Sequence, residues 1–403
     1  MNILVVHQNF PGQFPHIVTA LLARGDKVAA IGGVTATARP GVDLRRWTNK
    51  RGTTPNIVPA AIRAEADLIR AEAAAGAALQ LKRDGFHPDV IIGHPGWGET
   101  LHLKLVWPEA RLILFGEYFY RPFGGDSDFD PEFGMPDFAE RMRINGKAAA
   151  QSMAYVLADR IICPTPHQAA TFPDVLQSRI SVIHEGVDLS RARREPDAQL
   201  VLPGNVRLDA STPVITFINR TMEPLRGFHI FMRALPAFLD AVPDGRALII
   251  GEDRPSGYGK ASPDGKGWKA AMLAELGDRL DLSRVHFLGR VQHDAMIGAL
   301  SIGAAHVYYT YPFVLSWSLV EAMACECLVL ASDTAPVRDA ITDGVDGRLL
   351  PFFDVDALSQ AMIDAAREPV RFEGLRKAAR KKALEGFDRA AGTAGWLRAI
   401  DTV

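Results

Sequence analysis

The sequence predicts an α/β protein made of two tandem, doubly wound, Rossmann-like domains. Three observations predict it. Short all-apolar runs of the buried parallel-strand kind alternate with amphipathic stretches along most of the chain. The alternation breaks once, at a polar stretch near the middle, and then restarts. At 403 residues the chain exceeds one ordinary core and suits two domains of roughly 200 residues each.

The opening run "NILVV" (2–6) predicts a strand, followed by a Gly/Pro loop and an amphipathic helix, "HIVTALLARG". "KVAAIGG" returns to strand. An Ala-rich stretch from about 59 to 84, poor in Gly and Pro, predicts a long helix. Further strands are expected at "DVIIGH" (89–94), "RLILFGE" (111–117), "DRIICPT" (159–165) and "RISVIHEGVD" (179–188). The stretch "LSRARREPDAQLVLPGNVRLDAS" (189–211) carries Pro, Gly and Arg and reads as a strand-poor interdomain linker. Beyond it the pattern resumes with "PVITFIN" (213–219), the helix "FHIFMRALPAFLDAV", "RALIIGE" (246–252), "VHFLGR" (285–290), "AHVYYT" (305–310) and "LVLASD" (328–333). The expected domains are residues 1–195 and 205–386, with a C-terminal helix over 387–403 packing back on the first.

Charge is nearly balanced, 45 basic against 47 acidic residues, which argues against nucleic acid as a partner. The three cysteines, Cys163, Cys325 and Cys327, lack zinc-site spacing and disulfide density. Cys325 and Cys327 read as small buried residues. The first residues offer only a short apolar run, too short for a signal segment or a membrane span, so a cytoplasmic, soluble protein is expected.

In doubly wound sheets ligands sit outside the carboxyl ends of the strands, so chemistry is sought in the loops there. The loop "NRTMEPLRG" (219–227) places Arg220 and Arg226 between a strand and a helix, where guanidinium forks match phosphate oxygens; solvated arginines are the alternative. In "SWSLVEAMA" (316–324), Ser316 or Ser318 can cap a helix whose free amides suit anionic oxygens. Glu321 follows one turn later, placed either to complement the helix dipole or to accept two ribose hydroxyls. Asp126, Asp128 and Asp130 suggest a metal loop, but Pro131 occupies the position where a calcium loop needs Gly. An acidic loop, without a metal, is expected. The first strand has no G-x-G-x-x-G after it, which argues against a dinucleotide dehydrogenase.

Nearly the whole chain resembles the retaining glycosyltransferases of family 4 (glycosyl transferases group 1), which have the GT-B fold. The resemblance is carried by "VVHQNFPGQF", "VIHEGVD", "NRTMEPLRG", "VHFLGRV" and above all "SLVEAMACECLVLASDTAPVRDAITDGVDGRLL". It implies two Rossmann-like domains facing a central cleft, the first on the acceptor side and the second binding a nucleotide diphosphate sugar. It further implies transfer of the sugar, with retained configuration, to a hydroxyl of a glycan or lipid-linked acceptor. No metal or other cofactor is implied, and lipid-linked acceptors add a peripheral membrane contact to the expected partners.

Position by position, the resemblance implies that Arg220 and Arg226 hold the diphosphate, with Arg226 standing where many relatives have Lys. Gly12 lets its loop approach the phosphate or sugar. Arg290 and Val291 meet the base, amides around Leu319 and Val320 face the phosphates, and Glu321 takes the ribose hydroxyls; for the transferred sugar, either Ser316 and loop amides bond its hydroxyl or the sugar lacks that hydroxyl. The family commonly carries another glutamate eight residues before that one; here the position is Phe313, so changed sugar contacts are expected. Where relatives often have a histidine near the reacting sugar, this chain has Glu117. It is placed to orient a sugar hydroxyl or assist proton transfer, the alternative being a strand-end carboxylate bonded to nearby amides. His94 in "GHPGWGE" is a second candidate on the same side, the alternative being a structural hydrogen-bonder. A non-catalytic sugar-nucleotide-binding partner is the rival reading.

Overall fold

The computed structural model describes residues 1–255 and 257–403. It divides into two compact units, one of residues 1–186 with 389–403, the other of residues 187–388.

The first unit is built on seven parallel strands: β1 (Asn2–Val6), β2 (Lys27–Gly32), β3 (Val42–Arg46), β4 (Val90–Gly93), β5 (Arg111–Phe115), β6 (Arg160–Cys163) and β7 (Ile180–Val182). Their order is β3-β2-β1-β4-β5-β6-β7. The order reverses between β1 and β4, which leaves a crevice at their carboxyl ends. Central strands are buried on both faces, so Ile3 to Val6 and Val90 to Ile92 are fully buried. The edge strand β3, sequence VDLRR, is charged and half-exposed, which is why its pattern does not announce a strand.

Helix Ile62–Arg83 covers one sheet face with Ala71, Ala74, Ala78 and Leu81. The C-terminal helix Arg389–Asp401 belongs to this unit: Trp396 packs between Phe14 and Phe115, with ring centroids 5.8 and 6.2 Å away. Arg24 pairs with Asp401 at 2.8 Å.

The second unit opens with a hairpin, β8 (Leu200–Leu202) and β9 (Val206–Leu208), inside the stretch expected to be a strand-poor linker. The correction has a local cause. Gly204 and Asn205 both take positive φ in the Pro-Gly-Asn turn, and Leu202 and Leu208 are buried in this unit's core. Six parallel strands follow: β10 (Val214–Thr221), β11 (Arg246–Glu252), β12 (Val285–Gly289), β13 (Gly303–Tyr308), β14 (Val329–Ser332) and β15 (Arg348–Leu350). Their order, β12-β11-β10-β13-β14-β15, reverses between β10 and β13. Among the described residues, no helix is long and apolar enough to cross a membrane.

Candidate functional site

In the first unit, three neighbouring strands each end on a polar side chain: His7 after β1, His94 after β4 and Glu117 just beyond β5. Hydrogen bonds join them. His94 Nδ1 accepts from the Gly96 amide at 3.0 Å, which leaves the proton on Nε2, 3.2 Å from Glu117 Oε2. His7 Nδ1 accepts from the Asn9 amide at 2.9 Å, so its Nε2–H donates to Gln13 Oε1 at 2.5 Å. Gln13 Nε2 donates in turn to Glu117 Oε1 at 3.4 Å. Both carboxylate oxygens are therefore held by side-chain donors. Burial pushes the Glu117 carboxyl up, but the hydrogen bonds from His94 and Gln13 and the nearby imidazoles outweigh it, and the carboxyl titrates below its ordinary value. His7 is buried and close to His94, which takes its pKa down to about 3 and keeps it neutral. The two histidines are nearly inaccessible, whereas the Glu117 side chain is 35% exposed, so Glu117 is the member open to a substrate.

Gly12 sits over this cluster with φ +53°, and a Cβ there would lie 2.3 Å from the His7 ring. Its bare backbone makes room for the imidazole. The sequence reading picked out Gly12, His94 and Glu117 but not His7 or Gln13; the available signal was a histidine directly after an apolar strand.

In the second unit a cavity of ≈ 470 Å³ opens at the carboxyl ends of β10 and β11, beside the turn after β12 and the start of helix Trp317–Ala324. Three guanidiniums line it: Arg220, Arg254 and Arg290. Val291 and Ser316 line it as well, and Asn219 contributes a buried amide whose Nδ2 has no hydrogen-bond partner among the described residues. Arg254 was missed in the sequence. It follows β11 in a Gly/Pro-rich loop without regular pattern and pairs with Glu252 at 2.5 Å.

Arg226 and the residues Leu319, Val320 and Glu321 stand apart from the cavity lining. Arg226 does not line the cavity; its Nη1 donates to Thr310 Oγ1 at 3.0 Å and to the Val314 carbonyl at 2.9 Å, holding the 310–316 loop. Ser316 caps the helix, its hydroxyl accepting from the Ser318 amide at 3.3 Å, while the Leu319 amide donates to the Ser316 carbonyl at 3.2 Å. The Leu319 and Val320 side chains are fully buried in the core. Glu321 also lies outside the cavity lining, and its Oε1 stands 2.7 Å from His293 Nε2. His293, the first residue of its helix, was not anticipated.

Phe313 is buried, packed against Tyr258 with ring centroids 5.8 Å apart and lying 5.6 Å from the Arg226 guanidinium. A ring in that position stiffens the loop and offers no acceptor. Arg220 reaches the Tyr258 hydroxyl at 3.3 Å.

In the acidic loop Asp128 accepts from the Gly124 and Gly125 amides, Asp126 from Tyr118 and Asp130 from the Glu132 amide. All three cysteines are buried free thiols, and burial pushes Cys163 and Cys327 up to about 12.

This geometry separates the arginines by experiment. Arg220→Ala and Arg290→Ala are each expected to weaken nucleotide diphosphate binding by about 1.5–3 kcal/mol, on the order of 10-fold or more. Arg226→Ala should lower thermal stability with a smaller effect on affinity. Calorimetric titration checks this, and an equal loss in all three variants would show Arg226 reaching the ligand.

Residues 24–192 match the family description "Glycosyl transferase family 4 group" and residues 212–368 match "Glycosyl transferases group 1". The chain is 32% identical over 218 residues to the D-inositol 3-phosphate glycosyltransferase of Mycolicibacterium paratuberculosis, covering 53% of this chain and 45% of that protein. The Streptomyces coelicolor protein of the same name is 27% identical over 268 residues, covering 61% and 56%. The chain thus spans about half the length of the curated relatives it matches. Among solved structures it is similar to the Anabaena protein HepE in complex with UDP and glucose, at TM-score 0.69 and 16% identity over the full length of both chains. It is also similar to the sucrose-phosphate synthase of Thermosynechococcus elongatus, at TM-score 0.73 and 17% identity over 100% of this chain and 98% of that one. At such identities the structural likeness concerns the fold. With both halves matched by these descriptions and two parallel Rossmann-like sheets, the chain belongs to the group 1 glycosyltransferases of family 4, with the GT-B fold.

Proposed function

We propose that this protein is a retaining glycosyltransferase that moves a sugar from a nucleotide diphosphate donor to a hydroxyl of a glycan or lipid-linked acceptor, without a metal. The observation that carries the reading is the second unit's cavity, where Arg220, Arg254 and Arg290 converge beside a capped helix start. Three guanidiniums offset the charge that builds on a departing diphosphate, and their fixed placement avoids reorganisation during bond cleavage. The Asn219 amide supplies a further donor. The first unit contributes Glu117, kept ionised and oriented by His94 and Gln13, as the group that aligns a reacting hydroxyl or accepts its proton. Relatives named for transfer to an inositol phosphate are consistent with a polyol hydroxyl as acceptor. The rival reading of a non-catalytic sugar-nucleotide binder gives no reason for the ordered Glu117 cluster. The donor is tested by a thermal-shift panel of nucleotide diphosphates and their sugars. Saturation at about 100 times the dissociation constant adds roughly 2.7 kcal/mol, and no shift with any of them would remove the reading.

Transfer is expected to persist in excess chelator, because the arginines supply the positive charge that a divalent ion would otherwise bring. Turnover abolished by chelation and restored by manganese would overturn metal independence.

A further inference from the structure

We propose that Asp67, Arg63 and Arg70 form a positioning unit that sets which nitrogen of His94 carries its proton, and through it the hydrogen bond that His94 gives to Glu117. The catalytic consequence rests on the function proposed above, whereas the tautomer itself does not.

All three residues lie on helix Ile62–Arg83 at spacings of four and three, which puts them on one face. Asp67 is buried, its side chain 1% exposed, and its Oδ1 pairs with Arg63 Nε at 3.0 Å and with Arg70 Nη2. Each guanidinium continues to a carbonyl of the turn Pro95–Trp97: Arg63 Nη2 donates to Gly96 O, and Arg70 Nε to Trp97 O at 2.7 Å. The turn also lies against the helix backbone, since a Cβ on Gly98 would sit 2.2 Å from the Asp67 carbonyl oxygen. The same turn presents the Gly96 amide to His94 Nδ1 at 3.0 Å.

The chain of causes runs from charge to proton. Removing the Asp67 charge leaves two guanidiniums, that of Arg70 on a largely buried side chain, without their common partner, and they must reorient toward other acceptors. Their grip on the Gly96 and Trp97 carbonyls goes with them. Once the Gly96 amide drifts, Nδ1 is free to take the proton. Nε2 then turns a lone pair toward the Glu117 carboxylate, and the hydrogen bond becomes a repulsion.

The test is nitrogen NMR of the full-length, ligand-free protein with 15N-labelled histidine, the His94 signals being assigned by their loss in His94→Gln. Wild type is expected to show an unprotonated Nδ1 and a protonated Nε2. In Asp67→Asn and in Arg70→Gln the pattern is expected to shift toward a protonated Nδ1, while Arg70→Lys, which retains a donor, keeps more of the wild-type pattern. In the shifted variants kcat should fall on the order of 10-fold, with nucleotide affinity unchanged. If Asp67→Asn fails to fold, Arg70→Gln, which leaves Asp67 paired with Arg63, carries the test alone. A wild-type nitrogen pattern in the folded variants overturns the proposal. A shifted pattern with no transfer activity even in wild type would uphold it and remove the catalytic reading instead.

Discussion

Glu117→Gln is expected to lower kcat by about 10²–10⁴-fold while leaving nucleotide affinity unchanged, because in the proposed function Glu117 handles the hydroxyl chemistry and the cavity of the second unit holds the nucleotide. The geometry gives the reason. Glu117 accepts from His94 Nε2 at one oxygen and from Gln13 at the other, and a carboxylate has lone pairs left for a substrate hydroxyl. An amide in its place must turn an NH₂ toward one of these two donors, and it carries no charge with which to draw a proton. Steady-state transfer kinetics beside a calorimetric titration check this, with circular dichroism to confirm folding. A loss of less than about 3-fold in kcat would reduce Glu117 to a strand-end carboxylate.

Glu99→Gln is expected to stabilise the protein by roughly 3 kcal/mol at pH 8 and by much less at pH 5. Glu99 is fully buried, and neither of its oxygens has a hydrogen-bond partner from another of the described residues. Burial, only partly opposed by Arg70 and His94, pushes its carboxyl up from 4.5 to about 7. A carboxyl with a raised folded pKa contributes its full stability below the unfolded value and loses it as pH rises through the folded value. Wild type should therefore weaken between about pH 4.5 and 7, whereas glutamine, which resembles the neutral acid in shape, avoids that loss. Urea unfolding at the two pH values measures it. An equal gain at both would mean that the carboxyl is not ionising in this window.

The legible parts of the fold were those whose environment is uniform along the element. β1 and β4 are buried on both faces, and each reads as a nearly unbroken apolar run. β3 lies at a sheet edge with Asp43, Arg45 and Arg46 on it, and β15 has three residues, so neither carries such a signal. The β8–β9 hairpin was hidden because a Pro-Gly-Asn turn in polar surroundings resembles a linker until its leucines are seen to be buried. In the site, Arg220 at the carboxyl end of β10, Arg290 and Val291 just after β12 and Ser316 at a helix start stand where the strand pattern alone gives their place. His7, Gln13, Arg254 and His293 matter through partners 6 to 104 positions away or through a cavity wall, and no local pattern encodes those.

The sequence by itself determined the class of the protein: two doubly wound halves, the family, and the loops in which polar chemistry must sit, because strand burial and chain order dictate where carboxyl ends gather. Only the tertiary structure decided which side chains use those places. Arg226 and Arg220 are six residues apart, one in the turn after β10 and the other near the end of that strand, yet the first ties down the 310–316 segment and the second lines the cavity. A long side chain's direction is set by the acceptors that distant strands bring within about 3 Å of it, and the proton on His94 is likewise placed by the turn and helix packed behind it.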